Sequence, residues 1–256
     1  MSTVSVAFDA DRTRAAFTLS HPKGNIITRE MVAALRSALE SVAGNPHLKL
    51  ISIEGAGADF SFGASIPEHT PDQIASVLPE MHALIYEMLE VPAPTAALVR
   101  GRCFGGGFEL ALACDFIFAE ADAGFALPEI ELGVFPPAAS ALLPMKIGHA
   151  RATEMILTGG TVPATDPRLL PLIAFAAAPG QLASATAEWF EHHLAMKSAA
   201  ALRPATAAAR AGLAAHLHTV LPGLERLYLD QLMRTQDAVE GIAAFLGKRK
   251  PAWTDR

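Results

Sequence analysis

The sequence predicts an α/β protein whose strands pair mostly in parallel, and three observations carry that reading. Short apolar runs at residues 50–54, 95–99 and 116–119 are separated by stretches whose apolar residues recur at helical spacing, the alternation that builds parallel sheets through crossover helices. Residues 101–109, Gly-Arg-Cys-Phe-Gly-Gly-Gly-Phe-Glu, read as strand, glycine turn and helix start in immediate succession. No repeat period, low-complexity tract or linker interrupts the first half of the 256 residues.

Residues 4–8 and 15–19 are short runs of strand formers, and the polar stretch 9–14 between them makes a hairpin. Thr28 caps a helix with Glu30 in its first turn and Met31, Leu35, Ala38, Leu39 and Val42 on one face, until Asn45-Pro46 ends it. The strand at 50–54 leads into a glycine-bearing loop, 55–65. Thr70-Pro71 opens a second helix with Ile74, Val77, Leu78, Met81, Ile85 and Met88 on one face, and Pro79 is expected to kink or split it. The strand at 95–99, the glycine turn at 101–107, an apolar helix from about Phe108 and the strand at 116–119 follow.

The longest uncharged run, 169–187, holds Pro171, Pro179, Gly180 and Gln181 and reads as buried loop and helix rather than a membrane span. Composition changes near Lys197. Alanine-rich helical sequence is then broken by Pro204 and by Leu221-Pro222-Gly223, after which Leu224, Leu227, Tyr228 and Leu232 start a last amphipathic helix. Asp237 with Glu240 resembles a capping box for a further turn that ends in Lys248-Arg249-Lys250. The chain therefore divides into a core, residues 1–197, and a helical appendage, residues 198–256.

With 51% hydrophobic and 18% charged residues the chain is too apolar for disorder, and it carries more apolar surface than an ordinary soluble monomer buries, so a homo-oligomer is expected. A formal charge of −6 opposes a nucleic-acid or anionic-membrane surface while leaving room for a local anion pocket. Residues 1–14 mix Asp9, Asp11, Arg12 and Arg14 into a short alternating stretch, which is no signal-peptide core, and a cytoplasmic location follows as the expectation. Cys103 and Cys114 lack metal-type spacing and read as buried structural thiols; no His-Glu-x-x-His pattern exists, so no metal is expected. His192-His193 and His216 with His218 read as helix-surface pairs, whereas His69 lies close enough to the loop at Ala64 to face a ligand.

The chemistry concentrates in a few places. Three consecutive glycines at 105–107 let the backbone approach a ligand closely, with amides aimed at an oxyanion or a phosphate; a close strand–helix crossing is the other reading of the same glycines. A phosphate loop would continue Gly-Lys-Ser/Thr, and this chain continues Gly-Phe-Glu. A second loop of small residues spans 60–66, where Ser61 and Ser65 stand outside any Gly-x-Ser-x-Gly frame. Glu109, in the first turn after the glycines, and Glu129, in an apolar stretch, are either solvent-facing or carboxyls of raised pKa suited to proton transfer. Glu131 would share the face of Glu129 in an extended segment.

Pro22-Lys-Gly-Asn25, the Gly63-Ala64 loop, Gly105-Gly-Gly-Phe-Glu-Leu110 with Cys114-Asp115, Pro128-Glu129 followed by Leu132-Gly133, Leu157-Thr-Gly159 and residues 237–250 together resemble the crotonase superfamily, the enoyl-CoA hydratase and isomerase family, over essentially the whole chain. The resemblance implies a spiral of ββα turns with a C-terminal α-helical trimerisation region, a trimer or dimer of trimers, a CoA-thioester substrate, and no cofactor, since coenzyme A is part of the substrate. It implies that the amides of Ala64 and Gly106 form an oxyanion hole and that Glu109 and Glu129 are the two glutamates with which hydratases add water.

Within the family, residues 60–69, residues 134–140 with Leu143-Pro144, and the tail from Leu227-Tyr228 to Trp253 are most similar to hydratases of a cyclic dienoyl-CoA. Ser65 stands where a general hydratase has aspartate, and residues 137–142 replace its Gly-Gly-Thr-Gln-Arg-Leu segment. This implies conversion of cyclohexa-1,5-diene-1-carbonyl-CoA to 6-hydroxycyclohex-1-ene-1-carbonyl-CoA in anaerobic aromatic (benzoyl-CoA) degradation. Phe62, Gly63, Ser65, Ile66, Phe104, Gly105, Phe108 and Phe135 are then expected around the acyl group, and Lys23, Lys248 and Lys250 near the CoA phosphates. The rivals are a general enoyl-CoA hydratase or isomerase, acting for example on cyclohex-1-ene-1-carbonyl-CoA, and a noncatalytic CoA-ester-binding or RNA-binding member of the family.

Overall fold

The computed structural model describes residues 3–256. Its main sheet has six strands: β1 (Val4–Phe8), β2 (Arg14–Leu19), β3 (Leu50–Gly55), β4 (Thr95–Val99), β6 (Phe116–Glu120) and β9 (Ile173–Ala177), in that spatial order. Only β1 runs antiparallel, in the expected hairpin that pairs Val4 with Leu19 and Phe8 with Ala15. The other pairs are parallel. β4 is buried along its whole length, as a strand covered on both faces must be, while β2 alternates and buries Ala15, Phe17 and Leu19.

A small second sheet joins β5 (Arg102–Phe104), β7 (Gly124–Ala126) and β8 (Val162–Pro163). β5 and β7 each follow a main-sheet strand almost directly, so the chain repeats a strand, short strand, helix unit: β4, β5 and α3 (Gly106–Leu112), then β6, β7 and α4 (Pro137–Ile147). The glycine turn is thus shorter than expected, and its helix starts at Gly106 rather than near Phe108. α5 (His149–Thr158) and α6 (Leu182–Phe190) complete the core.

Thr28 caps α1 (Arg29–Ala43) as the sequence indicates, its Oγ1 accepting from the Met31 amide at 3.2 Å. α2 (Pro71–Glu90), however, runs unbroken through Pro79. The carbonyl deprived of its donor belongs to exposed Ala75, on the solvent side of the helix, while the buried face from Ile74 to Met88 holds the helix down.

α7 (Ala199–Arg226) corrects a second expectation, because it passes continuously through Pro204 and Pro222. Leu217 and Leu221 lie in the main hydrophobic core, and buried Arg210 donates to Oδ1 and Oδ2 of Asp115 at 2.8 and 2.6 Å. The amphipathic helix expected from Leu224 is instead a wide turn, Leu227–Gln231, that continues α7.

α8 (Gln236–Leu246) is capped by Thr235, whose hydroxyl accepts from the Ala238 amide at 3.1 Å, and not by a capping box at Asp237. Asp237 and Glu240 fold the terminal segment back along α8: Asp237 accepts from the Thr254 and Asp255 amides, and Glu240 from Ala252 and Arg249. The uncharged run 169–187 likewise forms β9 and the start of α6, an outer strand with Ala177 buried, instead of a buried loop. Both cysteines are buried and free. Among the described residues no helix is long and apolar enough to cross a membrane, and no group of three His, Cys, Asp or Glu is placed to hold a metal ion.

Candidate active site

Asn25 organises the first of the two loops that meet at the site. Its side chain donates to the carbonyls of Ala56 and Asp59, both at 2.9 Å, and accepts from the His21 amide at 3.1 Å. Ser61 donates to the Asn25 carbonyl at 2.8 Å and accepts from the Gly63 amide at 3.1 Å, a positional role rather than a nucleophilic one. Ile27 then pairs with the stretch around Ala64, through Ile27 N to Gly63 O and Ser65 N to Ile27 O, both 2.9 Å. The Ala64 amide is left on the opposite edge.

The second loop is the glycine turn. Gly105 donates to the Ala126 carbonyl at 2.9 Å, and Gly106 begins α3, where an amide has no intrahelical acceptor. A Cβ at position 106 would stand 3.2 Å from the Ala64 nitrogen, so the close approach of the two amides depends on glycine there. Among the described residues neither amide has an acceptor, and two such donors side by side suit an oxyanion.

Glu109 and Glu129 converge beside it. The Glu109 carboxylate accepts from the Ala139 amide at 2.9 Å. Burial pushes its pKa up to about 7, with the Ala139 and Ala138 amides restraining the rise. Burial, and next the charge of Glu109, pushes Glu129 up to about 8. Oε2 of Glu129 is shielded from solvent and has no hydrogen-bond partner among the described residues. Two neighbouring carboxyls whose pKa values are raised to different extents are placed to exchange protons near neutral pH. Glu131 is exposed at the cavity wall, in a tight 3-10 turn, Pro128–Leu132, that does not set it on the face of Glu129 as an extended chain would.

All of these groups open on one cavity of about 830 Å³. Its wall includes Phe62, Gly63, Ala64, Ser65, Ile66, Gly105, Gly106, Phe135, Lys23 and Lys248 as well as both glutamates. Phe104, Phe108 and Lys250 are not part of it. Phe108 is fully buried against Phe125, ring centroids 5.1 Å apart, because it stands about 100° around α3 from Glu109. Phe104 offers its carbonyl beside Gly63 while its ring lies toward Gly124. Lys250 is exposed, beyond the Arg249 to Glu240 ion pair.

His69 does line the cavity. Its Nδ1 donates to the Ser65 carbonyl at 2.8 Å, and burial lowers its pKa. Sequence reasoning missed seven contributors: Val77, Leu78 and Met81 of α2, Ile242, Phe245 and Leu246 of α8, and Tyr228. The face of α2 was legible as apolar, but periodicity does not distinguish a face that packs from one that lines a cavity.

A family model described as "Enoyl-CoA hydratase/isomerase" matches residues 10–256. The chain is 41% identical, over 100% of its length and 98% of the relative's, to a cyclohexa-1,5-dienecarbonyl-CoA hydratase from Thauera aromatica. It is 32% identical to a carnitinyl-CoA dehydratase from Salmonella arizonae, covering 92% and 93% of the two chains. Among solved structures, an enoyl-CoA hydratase from Mycobacterium avium superposes with a TM-score of 0.87 at 28% identity, over 99% of this chain and 100% of that one.

Proposed function

The chain belongs to the enoyl-CoA hydratase/isomerase family, and from that premise we propose that it adds water to a cyclic conjugated dienoyl-CoA, turning cyclohexa-1,5-diene-1-carbonyl-CoA into 6-hydroxycyclohex-1-ene-1-carbonyl-CoA. The observation that carries this reading is a full-length likeness to a hydratase of that name, combined with a pair of glutamates in an apolar cavity beside two free amides.

The amides of Ala64 and Gly106 receive the thioester oxygen, where charge accumulates as the dienolate forms; one such donor is worth about 3–4 kcal/mol. Glu109, stabilised as an anion by Ala139, takes a proton from water while the water oxygen bonds to the β carbon. Glu129, neutral near pH 7, delivers its proton to the far end of the diene, and the electrons return from the oxygen to leave one ring double bond. Water is added without change of oxidation state, so the reaction needs no cofactor beyond the CoA carried by the substrate. Lys23 and Lys248, exposed at the cavity wall, are suited to the CoA phosphates. Exposed Met196 and Val239, with Phe245 and Leu246 exposed at the cavity mouth, support a homo-oligomer, trimer or dimer of trimers, that covers them.

Incubation with the cyclic dienoyl-CoA, cyclohex-1-ene-1-carbonyl-CoA and crotonyl-CoA in parallel, with products identified by mass spectrometry and NMR, tests the reading. The dienoyl ester is expected to have the highest kcat/KM and to yield the 6-hydroxy product. Preference for either monoene would return the protein to general enoyl-CoA hydration, and RNA binding without turnover would remove catalysis altogether.

A further inference from the structure

Tyr228 is a buried polar group of the cavity that the two-glutamate chemistry leaves unused. It stands in the wide turn after α7, is buried apart from the edge it presents to the cavity, and is clamped by the Phe135 ring, edge to face at 5.4 Å. Val134, Met233 and Ile242 pack around the same ring. Its hydroxyl has no hydrogen-bond partner among the described residues and lies within electrostatic reach of Glu129 and Glu109. A buried phenol whose ring is packed into the wall of the cavity that also holds Glu109 and Glu129 is a fixed donor facing the same space.

Resting on the hydratase reading above, we propose that Tyr228 is a positioning residue for proton delivery: its hydroxyl donates a hydrogen bond, through a water in the cavity, to the Glu129 carboxylate as that group becomes anionic. The proton that reaches the ring carbon comes from Glu129, and Tyr228 keeps its own. Burial, with the charges of Glu129 and Glu109 added, holds the phenol well above its ordinary pKa, so it remains a neutral donor throughout the working range. The other titratable groups on the cavity wall are His21, Lys23, Arg29, His69, Glu131 and Lys248. Of all the wall's charges, that of Glu109 is the one that raises Glu129. A phenol donor opposes that rise, because a hydrogen bond to the charged form favours ionisation.

The test is Tyr228→Phe, which removes one oxygen and keeps the ring. With the preferred ester, kcat is expected to fall about ten- to a hundredfold with KM nearly constant. The alkaline limb of the rate profile, which reports loss of the Glu129 proton, is expected to move upward by about half a pH unit or more. The chain has two tyrosines, so 3-fluorotyrosine incorporated into a Tyr86→Phe background modifies Tyr228 alone and, as a stronger donor, is expected to move the same limb downward. A rate loss with the limb unmoved in both proteins would reduce Tyr228 to packing and overturn the proposal, as would an unchanged kcat. Wild-type protein inactive on every ester would overturn the hydratase reading and this assignment together, whereas active wild type with an unaffected Tyr228→Phe overturns the tyrosine's role alone.

Discussion

A Cβ at position 105 would lie 2.6 Å from Oε1 of Glu129, so Gly105 and the carboxylate share a space that admits one side chain. Gly105 also sits at φ 49°, where any other residue is strained. Gly105→Ala is expected to displace Glu129 and lower kcat by about 10²–10⁴. Gly106→Ala crowds the Ala64 amide instead and is expected to cost about 10²–10³ in kcat. Steady-state kinetics, with calorimetric binding of a saturated CoA ester as control, separates these losses from failure to bind; full activity in either variant would dissociate the glycine turn from catalysis.

The two raised carboxyls set a narrow optimum. With Glu109 as the proposed base and Glu129 as the proposed acid, kcat/KM is expected to rise through about pH 7 and fall above about pH 8. Glu109→Gln and Glu129→Gln should each lower kcat by about 10²–10⁴ with ester binding retained.

Stability carries the opposite sign. Both folded pKa values lie above the unfolded 4.5, so this contribution is complete below about pH 4.5 and is lost as pH rises through 7 to 8. Glu129→Gln is therefore expected to raise Tm at pH 8.5 and leave it near the wild-type value at pH 4.5. Equal effects at the two pH values, measured by calorimetry, would contradict a buried neutral acid.

Phe108 and Phe135 separate packing from specificity. Phe108→Ala is expected to destabilise by about 3–5 kcal/mol, since the ring is wholly buried against Phe125. Phe135→Ala opens the cavity wall and is expected to change the ratio of kcat/KM between ring-bearing and linear esters. Denaturant unfolding and the ester panel read the two effects independently.

Arg210 is 4% exposed and reaches six oxygens of the chain around β4 and Asp115, among them the carbonyls of Leu89, Val91 and Ala93. Arg210→Ala removes the ion-pair partner of Asp115, leaving its carboxylate only the Thr95 amide and hydroxyl, and is expected to cost about 3–5 kcal/mol in denaturant unfolding. A loss below about 1 kcal/mol would place the pair among ordinary surface ion pairs.

Glu109, Glu129 and the glycine turn were legible because their signals are local: a carboxylate in apolar sequence, and three glycines between a strand and a helix. β5 and β7 are three residues each and exist through pairing with one another, which no single window records. The prolines in α2 and α7 misled for a related reason. Their cost is fixed by the residue type, whereas the offsetting burial of Leu217, Leu221 and Arg210 belongs to the assembled fold. Tyr228 was visible as a residue but not as a neighbour of Glu129, 99 positions earlier; that proximity arises only when the end of α7 returns to the cavity.

The partner that holds Glu109 is the amide of Ala139, and an amide is the same whatever side chain its residue carries. Along residues 134–139, catalysis therefore draws on the main chain while the fit to substrate draws on Val134, Phe135, Pro136 and Pro137. These two inheritances can be altered separately. A library that varies the four side chains and preserves the backbone path would resample which acyl groups enter while leaving the acid–base pair where it stands, a division of labour that makes this segment the natural place to redirect the enzyme.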